Sequence, residues 1–147
     1  MLSGPTAAPA PGRRTSVLIV DHNAVYAAAL QASLGDCAEI SVVTIATSID
    51  DGVRLALLQS PDVILVESRF PDVPGQSICS RLRRKLPGTA VIVMSAWDDP
   101  EIASAARAAG AAGWVLKGTR GAEIADLLVR IARGEPGWGA AESTRAG

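Results

Sequence analysis

The chain has 147 residues, of which 48% are hydrophobic and 20% are charged, and 14 Lys and Arg residues nearly balance 15 Asp and Glu residues. This length and composition predict one globular domain with a sizeable core. A net charge of −1 without a long basic block argues against a domain whose main task is to grip nucleic-acid phosphates. We expect contact with DNA only through a partner or a further module.

The composition also excludes several classes of site and of location. The two cysteines, Cys37 and Cys79, and the single histidine, His22, are not at ligand spacing, which excludes structural zinc. The cysteines are interpreted as ordinary thiols. No apolar run approaches the roughly 20 residues that cross a bilayer, and the N-terminus lacks the features of a signal peptide. We therefore expect a cytoplasmic protein.

Both ends of the chain are poor in residues that build a core. Residues 1–15 are rich in Pro, Ala, Gly and Thr, and residues 135–147 are rich in Gly and Ala with few large apolar side chains. Such segments cannot bury enough apolar surface to offset the entropy of ordering. We expect two disordered tails, the second of them a tail or the start of a linker, around one domain at residues 16–134.

Five short apolar runs follow one another between these tails. Their centres lie near Ile19, Val42, Leu65, Ile92 and Val115. An interval of 23 to 27 residues fits one strand, a turn and one helix. The segments between the runs carry apolar residues at helical spacing, as do Ile78, Leu82 and Leu86 before the fourth run. The pattern therefore predicts a strand and helix unit repeated five times.

Local signals agree with this repeat. Ser48 with Asp51 resembles a capping box, and the sequence Asp-Pro-Glu at residues 99–101 suits a helix start. Nearly continuous Val, Ile and Leu in the first, third and fourth runs predicts strands buried on both faces, as in a parallel sheet between helix layers. The second run, residues 40–45, has polar interruptions and is expected at an edge.

Polar side chains stand where the predicted strands end. Asp21 and His22 follow the first strand, Glu67 ends the third, Ser95 the fourth and Lys117 the fifth. Ligands bind beyond the carboxyl ends of the strands in such sheets. Two carboxylates, a hydroxyl and an ammonium group suit phosphoryl capture on a carboxylate, because acids hold a divalent cation and the other groups receive phosphoryl oxygens.

Several segments together resemble a known family. Residues 17–21 (VLIVD), 61–66 (PDVILV), 70–75 (FPDVPG), 91–96 (VIVMSA) and 110–117 (GAAGWVLK) closely resemble a response-regulator receiver domain, best that of the NarL/FixJ type. The resemblance implies a flavodoxin-like five-stranded parallel α/β fold with strand order 2-1-3-4-5. It also implies signal transduction in a two-component phosphorelay and transcription regulation, usually through a helix-turn-helix output domain that follows the receiver.

The resemblance assigns roles to individual positions. It makes Asp21 the first of two metal-binding acids, Ser95 the switch hydroxyl, Lys117 the lysine that contacts the phosphoryl group and Trp114 the aromatic switch position. Two positions depart from the family pattern. The second metal-binding acid falls on His22, and the phosphoacceptor aspartate falls on Glu67.

These departures predict an altered site. His22 offers a nitrogen, which Mg²⁺ takes poorly, so metal held by Asp21 and Glu67 should be weak. The additional methylene of Glu67 misplaces its carboxylate for in-line attack and makes it a crude mimic of a phosphorylated aspartate. We interpret the chain as an atypical receiver, a pseudo-receiver that is not an enzyme and that acts through a protein partner or a homodimer.

Two other functions stay open at this point. One is a working phosphoacceptor that uses Glu67 or another nearby residue, with a sensor kinase as donor. The other is a flavin-binding oxidoreductase of the same topology, which is disfavoured because Asp21 places an anion where the flavin phosphate would lie.

Simpler structural interpretations also stay open for single features. His22 is either a solvent-facing loop residue or a partner of Glu67, and Trp97 and Trp114 either pack or contact a partner. The basic cluster at residues 81–85 suits a solvated helix face. The Ala-rich residues 103–112 suit a helix seam or a homodimer face.

Overall fold

Ten elements alternate strictly between strand and helix in the computed structural model, which describes residues 13–138. The strands are β1 Thr15–Val20, β2 Ile40–Ala46, β3 Val63–Glu67, β4 Ala90–Ser95 and β5 Gly113–Leu116. The helices are α1 Ala24–Gly35, α2 Ile49–Gln59, α3 Ser77–Leu82, α4 Pro100–Ala108 and α5 Gly121–Ala132. The predicted fivefold repeat is confirmed.

The strands form one parallel sheet in the order β2-β1-β3-β4-β5. This is the strand order that the family resemblance implied. β2 lies at an edge, as its polar interruptions predicted, while β1, β3 and β4 lie inside the sheet. Residues 17–20 of β1 and all of β3 are buried, because helices cover both faces of the sheet.

Alternate residues of the strands face two separate helix layers. On one face, Ile19 belongs to an apolar cluster with Leu34 of α1 and Leu128 of α5. On the other face, Val20 belongs to a cluster with Ile78 of α3 and with residues of α2 and α4. The two layers fix the strands from both sides, so the strand ends that carry the polar residues are held in place.

Helix starts follow the predicted capping signals. The Ser48 Oγ accepts the Asp51 backbone N–H at 3.1 Å at the start of α2. The Asp99 carboxylate accepts the Glu101 N–H at 2.9 Å, and Pro100 is the first residue of α4. These bonds satisfy backbone donors that the first helical turn leaves unpaired.

α3 is shorter than the sequence pattern indicated. The helix ends at Leu82, and the backbone N–H groups of Lys85 and Leu86 both bond to the Leu82 carbonyl in the turns that follow. Pro87 keeps the helix from continuing past this segment, because the residue before a proline avoids the helical region. The charged side chains at residues 81 and 83–85 are exposed, which agrees with the expected solvated face.

The C-terminal side of the domain extends past the predicted limit at residue 134. Gly137 forms a parallel bridge with Gly113 of β5, and the Trp138 indole N–H donates to the Ala111 carbonyl at 3.1 Å. The Arg107 guanidinium lies 5.2 Å from the centre of the Trp138 ring. Residues 137 and 138 therefore pack onto the domain, while residues 139–147 of the expected tail lie outside the described residues.

The N-terminal limit shifts as well. β1 begins at Thr15, one residue before the predicted start of the domain at residue 16. The Arg13 guanidinium lies 2.8 Å from the Asp62 carboxylate. Residues 1–12 of the expected N-terminal tail lie outside the described residues. Within residues 13–138, none of the helices has the length and apolar character needed to cross a membrane.

Candidate functional site

The strand ends bring the predicted polar residues to one edge of the sheet. Asp21 directly follows β1, and its backbone N–H donates to the Ala46 carbonyl at 3.0 Å. Lys117 directly follows β5, and its N–H donates to the Ser95 carbonyl at 2.8 Å. Glu67 is the last residue of β3, which lies between β1 and β4. Backbone pairing within the sheet therefore fixes the backbone position of each of these functional residues.

Lys117 joins the two carboxylates of the site. Its Nζ lies 2.7 Å from Asp21 Oδ2 and 3.3 Å from Glu67 Oε1. The Asp21 side chain is 0% exposed and that of Glu67 is 7% exposed, so water screens these charges little. Asp21 is held further by the Asn23 backbone N–H, which donates to Oδ1 at 2.8 Å.

The other oxygen of Glu67 is held by His22. The His22 backbone N–H donates to Glu67 Oε2 at 2.7 Å, and the Nδ1 of the His22 ring contacts the same oxygen. The His22 side chain is about half exposed, and its ring lies 5.8 Å from the ring of Phe70. The structure therefore agrees with the interpretation of His22 as a partner of Glu67.

Burial and a neighbouring carboxylate change the ionisation of Glu67. Burial raises the pKa of Glu67, and a hydrogen bond to Asp21 together with repulsion from its charge raises it further. The contacts with His22 act in the opposite direction. Burial also raises the pKa of Tyr26, with a second contribution from Asp21. Adding further negative charge to this pocket is therefore unfavourable unless a cation accompanies it.

A close backbone approach fixes the loop that follows β3. The Gly75 N–H donates to the Ser68 carbonyl at 2.9 Å. A Cβ atom at position 75 would lie 1.6 Å from the Glu67 carbonyl oxygen. Only glycine allows the loop to fold this closely over the end of β3, so Gly75 helps to set the position of Glu67.

The hydroxyl of Ser95 is engaged in a local turn. Its Oγ donates to the Trp97 carbonyl at 2.7 Å and accepts the Trp97 N–H at 3.0 Å. A hydroxyl has a single hydrogen to donate, and here the Trp97 backbone receives it. The Trp97 side chain is exposed, and the Arg69 guanidinium stacks 4.4 Å from the centre of its ring.

Trp114 lies inside the domain rather than on its surface. The side chain is 7% exposed and belongs to the apolar cluster between the sheet and helices α2, α3 and α4. The packing interpretation of Trp114 is therefore correct for this structure. Its role as a switch position stays a prediction.

No role in the site was assigned to Tyr26 or Phe70 from the sequence, although Phe70 lies in one of the segments that carry the family resemblance. The Tyr26 hydroxyl donates to the Lys117 carbonyl at 3.0 Å, and the Lys117 Nζ lies 4.7 Å from the centre of the Tyr26 ring. Phe70 lies against His22. A weak signal existed for Tyr26, because this single tyrosine lies in the first turn of α1, three residues after Asn23.

Asp21, His22 and Glu67 could hold a metal ion. One ligand atom from each residue lies within 4.8 Å of the others. The set fits Mg²⁺ poorly, because Mg²⁺ prefers oxygen ligands in octahedral geometry and one of these three ligands is a nitrogen. The Lys117 ammonium also already contacts both carboxylates.

Comparisons with known proteins agree with this fold. The sequence model of the response regulator receiver domain matches residues 17–129. The chain is 32% identical over 120 residues to the transcriptional regulatory protein LiaR of Bacillus subtilis, covering 82% of this chain and 57% of that protein. It is 29% identical over 118 residues to the DNA-binding transcriptional activator DevR/DosR of Mycobacterium tuberculosis, covering 80% and 54%.

A comparison with a solved structure supports the same family at the level of the fold. The receiver domain of the putative response regulator NarL from Mycobacterium tuberculosis superposes with a TM-score of 0.78 at 28% identity, covering 84% of this chain and 99% of that one. The chain spans about half the length of the curated relatives it matches. These matches select two-component signalling over the flavin-binding alternative. The chain thus belongs to the response regulator receiver domain family.

Proposed function

We propose that this chain is a pseudo-receiver, a receiver domain whose state is not set by phosphoryl transfer to Glu67. The observation that carries the proposal is the double engagement of the Glu67 carboxylate. Lys117 contacts Oε1, and His22 holds Oε2 with both its backbone and its ring. A nucleophile with both oxygens engaged is poorly placed for in-line attack.

The remaining machinery argues in the same direction. Phosphoryl transfer needs a cation to neutralise developing charge, together with groups that receive the phosphoryl oxygens. Here the Lys117 ammonium is paired with Asp21 and Glu67, and the Ser95 hydroxyl donates to Trp97. An error of about 1 Å in the position of a reacting atom can cost roughly 100-fold in rate. We expect Mg²⁺ binding at this site to be weak for the same reasons.

Glu67 also suits a role as a permanent charge. Its carboxylate reaches the lysine that the family resemblance assigns to phosphoryl contact, and one charge stands where a phosphorylated aspartate would carry about two. We propose that the pocket is thereby held in one state. Regulation then comes from a ligand or from a protein partner.

The proposed output is transcription control through protein contacts. LiaR is a transcriptional regulatory protein and DevR/DosR a DNA-binding transcriptional activator. We propose that this chain serves a similar process, with a second copy, a partner or a further module binding the DNA. The near-neutral charge of the chain supports this division of labour.

Phosphodonor treatment tests the proposal. The chain is incubated with acetyl phosphate and Mg²⁺, and its intact mass is measured together with that of the Glu67→Gln variant. We expect no mass change in either protein. A phosphoryl adduct that maps to Glu67 and is absent from the variant would instead establish the phosphorelay receiver, with a sensor kinase as the natural donor. Saturable tryptophan quenching at sub-millimolar Mg²⁺ would contradict the expected weak metal binding.

A further inference from the structure

Three side chains of the pocket form a mixed nitrogen and oxygen ligand set. The ring nitrogen of His22 and one oxygen each of Asp21 and Glu67 lie within 4.8 Å of one another. The two carboxylates are buried, whereas the His22 side chain is half exposed. The set therefore opens to solvent on the His22 side, which is the path by which an ion would enter.

The Lys117 ammonium contacts one oxygen of each carboxylate in this set. It contacts Glu67 Oε1 and Asp21 Oδ2, while the His22 ring contacts Glu67 Oε2. Asp21 Oδ1 accepts the Asn23 N–H and keeps a second lone pair, because an ionised carboxylate has about four acceptor sites. The contact between Glu67 Oε2 and the His22 ring therefore involves neither of the carboxylate oxygens that Lys117 contacts.

The chemistry of the ligands selects the class of ion. Imidazole nitrogen suits Zn²⁺, Co²⁺ and Ni²⁺, whereas Mg²⁺ prefers oxygen and water. Two carboxylates and one histidine leave a fourth position for water, the pattern of open zinc sites. Replacement of an acid by His22 thus changes which ion the pocket prefers, in addition to weakening Mg²⁺.

We propose that Asp21, His22 and Glu67 bind a divalent transition-metal ion of the Zn²⁺ or Co²⁺ class, which acts as the regulatory ligand of this pseudo-receiver. The inference rests on the proposed function, since it requires Glu67 to remain unmodified. The ion binds the His22 ring and the Glu67 carboxylate, which contact each other directly in this structure. It ties the loop after β1 to the end of β3 and offsets the two buried negative charges.

Metal titration of the full, untagged chain tests the inference. Co²⁺ binding is followed by visible absorption and Zn²⁺ and Mg²⁺ binding by calorimetry. The sequence contains a single histidine, so an imidazole ligand can come only from His22. We expect one Co²⁺ or Zn²⁺ ion per chain, bound at least about tenfold more tightly than Mg²⁺, with a spectrum that lacks thiolate charge-transfer bands.

Variants separate this site from adventitious binding. His22→Asp should lower the affinity for Zn²⁺ and Co²⁺ by roughly 10- to 100-fold, because even the loss of a residue that only hydrogen-bonds to a metal ligand has an effect of this size. The same substitution should raise the affinity for Mg²⁺. A chain with Cys37→Ser and Cys79→Ser should bind the metals as the unaltered chain does. Thermal melting confirms that each variant is folded.

Specific results would overturn the inference. Equal Zn²⁺ affinity in the unaltered chain and in His22→Asp would do so, as would loss of binding in the cysteine variant or Mg²⁺ affinity equal to that of Zn²⁺. The phosphodonor experiment distinguishes a failure of the metal-site proposal from a failure of the pseudo-receiver proposal. Absence of both metal and adduct removes only the metal site, while an adduct on Glu67 removes the pseudo-receiver itself.

Discussion

The Lys117 ammonium lies 2.7 Å from Asp21 Oδ2, and the two side chains are only 16% and 0% exposed. The same ammonium contacts Glu67 at 3.3 Å. One cation thus offsets two carboxylates that have little access to water. Removal of such a cation leaves uncompensated buried charge, which costs far more than the loss of a surface ion pair.

Lys117→Met should therefore destabilise the domain strongly. We expect the free energy of unfolding at neutral pH to fall by about 3–5 kcal/mol, measured by urea denaturation. Lys85→Met, the same change at an exposed position, is the matched control and should change stability by less than about 0.5 kcal/mol. Equal effects of the two substitutions would show that the buried pair contributes nothing to stability.

Glu67 should make stability depend on pH. Folding raises the pKa of Glu67 above its ordinary value near 4.5, so the folded chain binds more protons than the unfolded chain above that pH. Glu67 therefore lowers the free energy of unfolding as pH rises from 4.5 through the pKa of the folded state. Glu67→Gln removes this titration and keeps an oxygen that can accept the His22 N–H.

The measurement is urea denaturation of both proteins from acidic to neutral pH. The stability of Glu67→Gln relative to the unaltered chain should increase with pH and level off above the Glu67 pKa. Glu101→Gln, at an exposed helix start, gives the background for the same chemical change. A relative stability that decreases with pH would mean that folding lowers the Glu67 pKa.

Gly75→Ala should disturb the end of β3. The new Cβ would overlap the Glu67 carbonyl oxygen, so backbone must move. We expect a loss of about 1–3 kcal/mol or more, the usual cost of overpacking, measured as a lower melting temperature. Gly88→Ala is the control, because a Cβ there would meet nothing within 4 Å. Equal melting temperatures for the two variants would contradict the close approach.

The C-terminal contact predicts a difference between two truncated chains. A chain that ends at residue 138 keeps Trp138 with its bond to the Ala111 carbonyl, and a chain that ends at residue 134 loses it. We expect the shorter chain to be less stable by about 1–2 kcal/mol, since it loses a hydrogen bond and the burial of part of a large aromatic side chain. Identical urea midpoints would place the functional limit of the domain at residue 134.

Restoring two acids should recover a phosphorylatable site. His22→Asp supplies an oxygen ligand for Mg²⁺, and Glu67→Asp withdraws the acceptor by one methylene. The double variant should gain both Mg²⁺ binding and phosphoryl capture from acetyl phosphate, and each single variant should gain less, because neighbours that share one ligand couple. Tryptophan quenching and intact mass are the measurements. A folded double variant that gains neither would mean that the surrounding loops no longer hold a usable site.

The fold was predictable because its signals are local and periodic. The interruptions in residues 40–45 predicted the edge position of β2, and the caps at Ser48 and Asp99 predicted two helix starts. α3 was predicted too long because an apolar stripe continues through Leu86, although the helix ends at Leu82 and turns follow it. In that segment the spacing of apolar side chains does not show where the regular helix ends.

The sequence predicted which residues form the site better than it predicted the contacts among their side chains. Strand ends bring Asp21, Glu67 and Lys117 together, and the alternation of strands and helices already predicts that edge. The contact of Tyr26 with Lys117 and the engagement of Ser95 with Trp97 depend on loop conformation and rotamers. Neither is encoded in the spacing of residues along the chain.

The bridge between Gly137 and Gly113 has a consequence for how copies of the chain can associate. β5 ends the sheet, and the outer edge of such a strand is a template on which a foreign strand can add by backbone pairing. Gly137 takes up part of this edge, and a Cβ there would lie 2.2 Å from the Ala112 carbonyl oxygen. Sheet extension across this part of β5 is therefore obstructed, which leaves the β2 edge and the helical faces as the surfaces on which copies of the domain can associate.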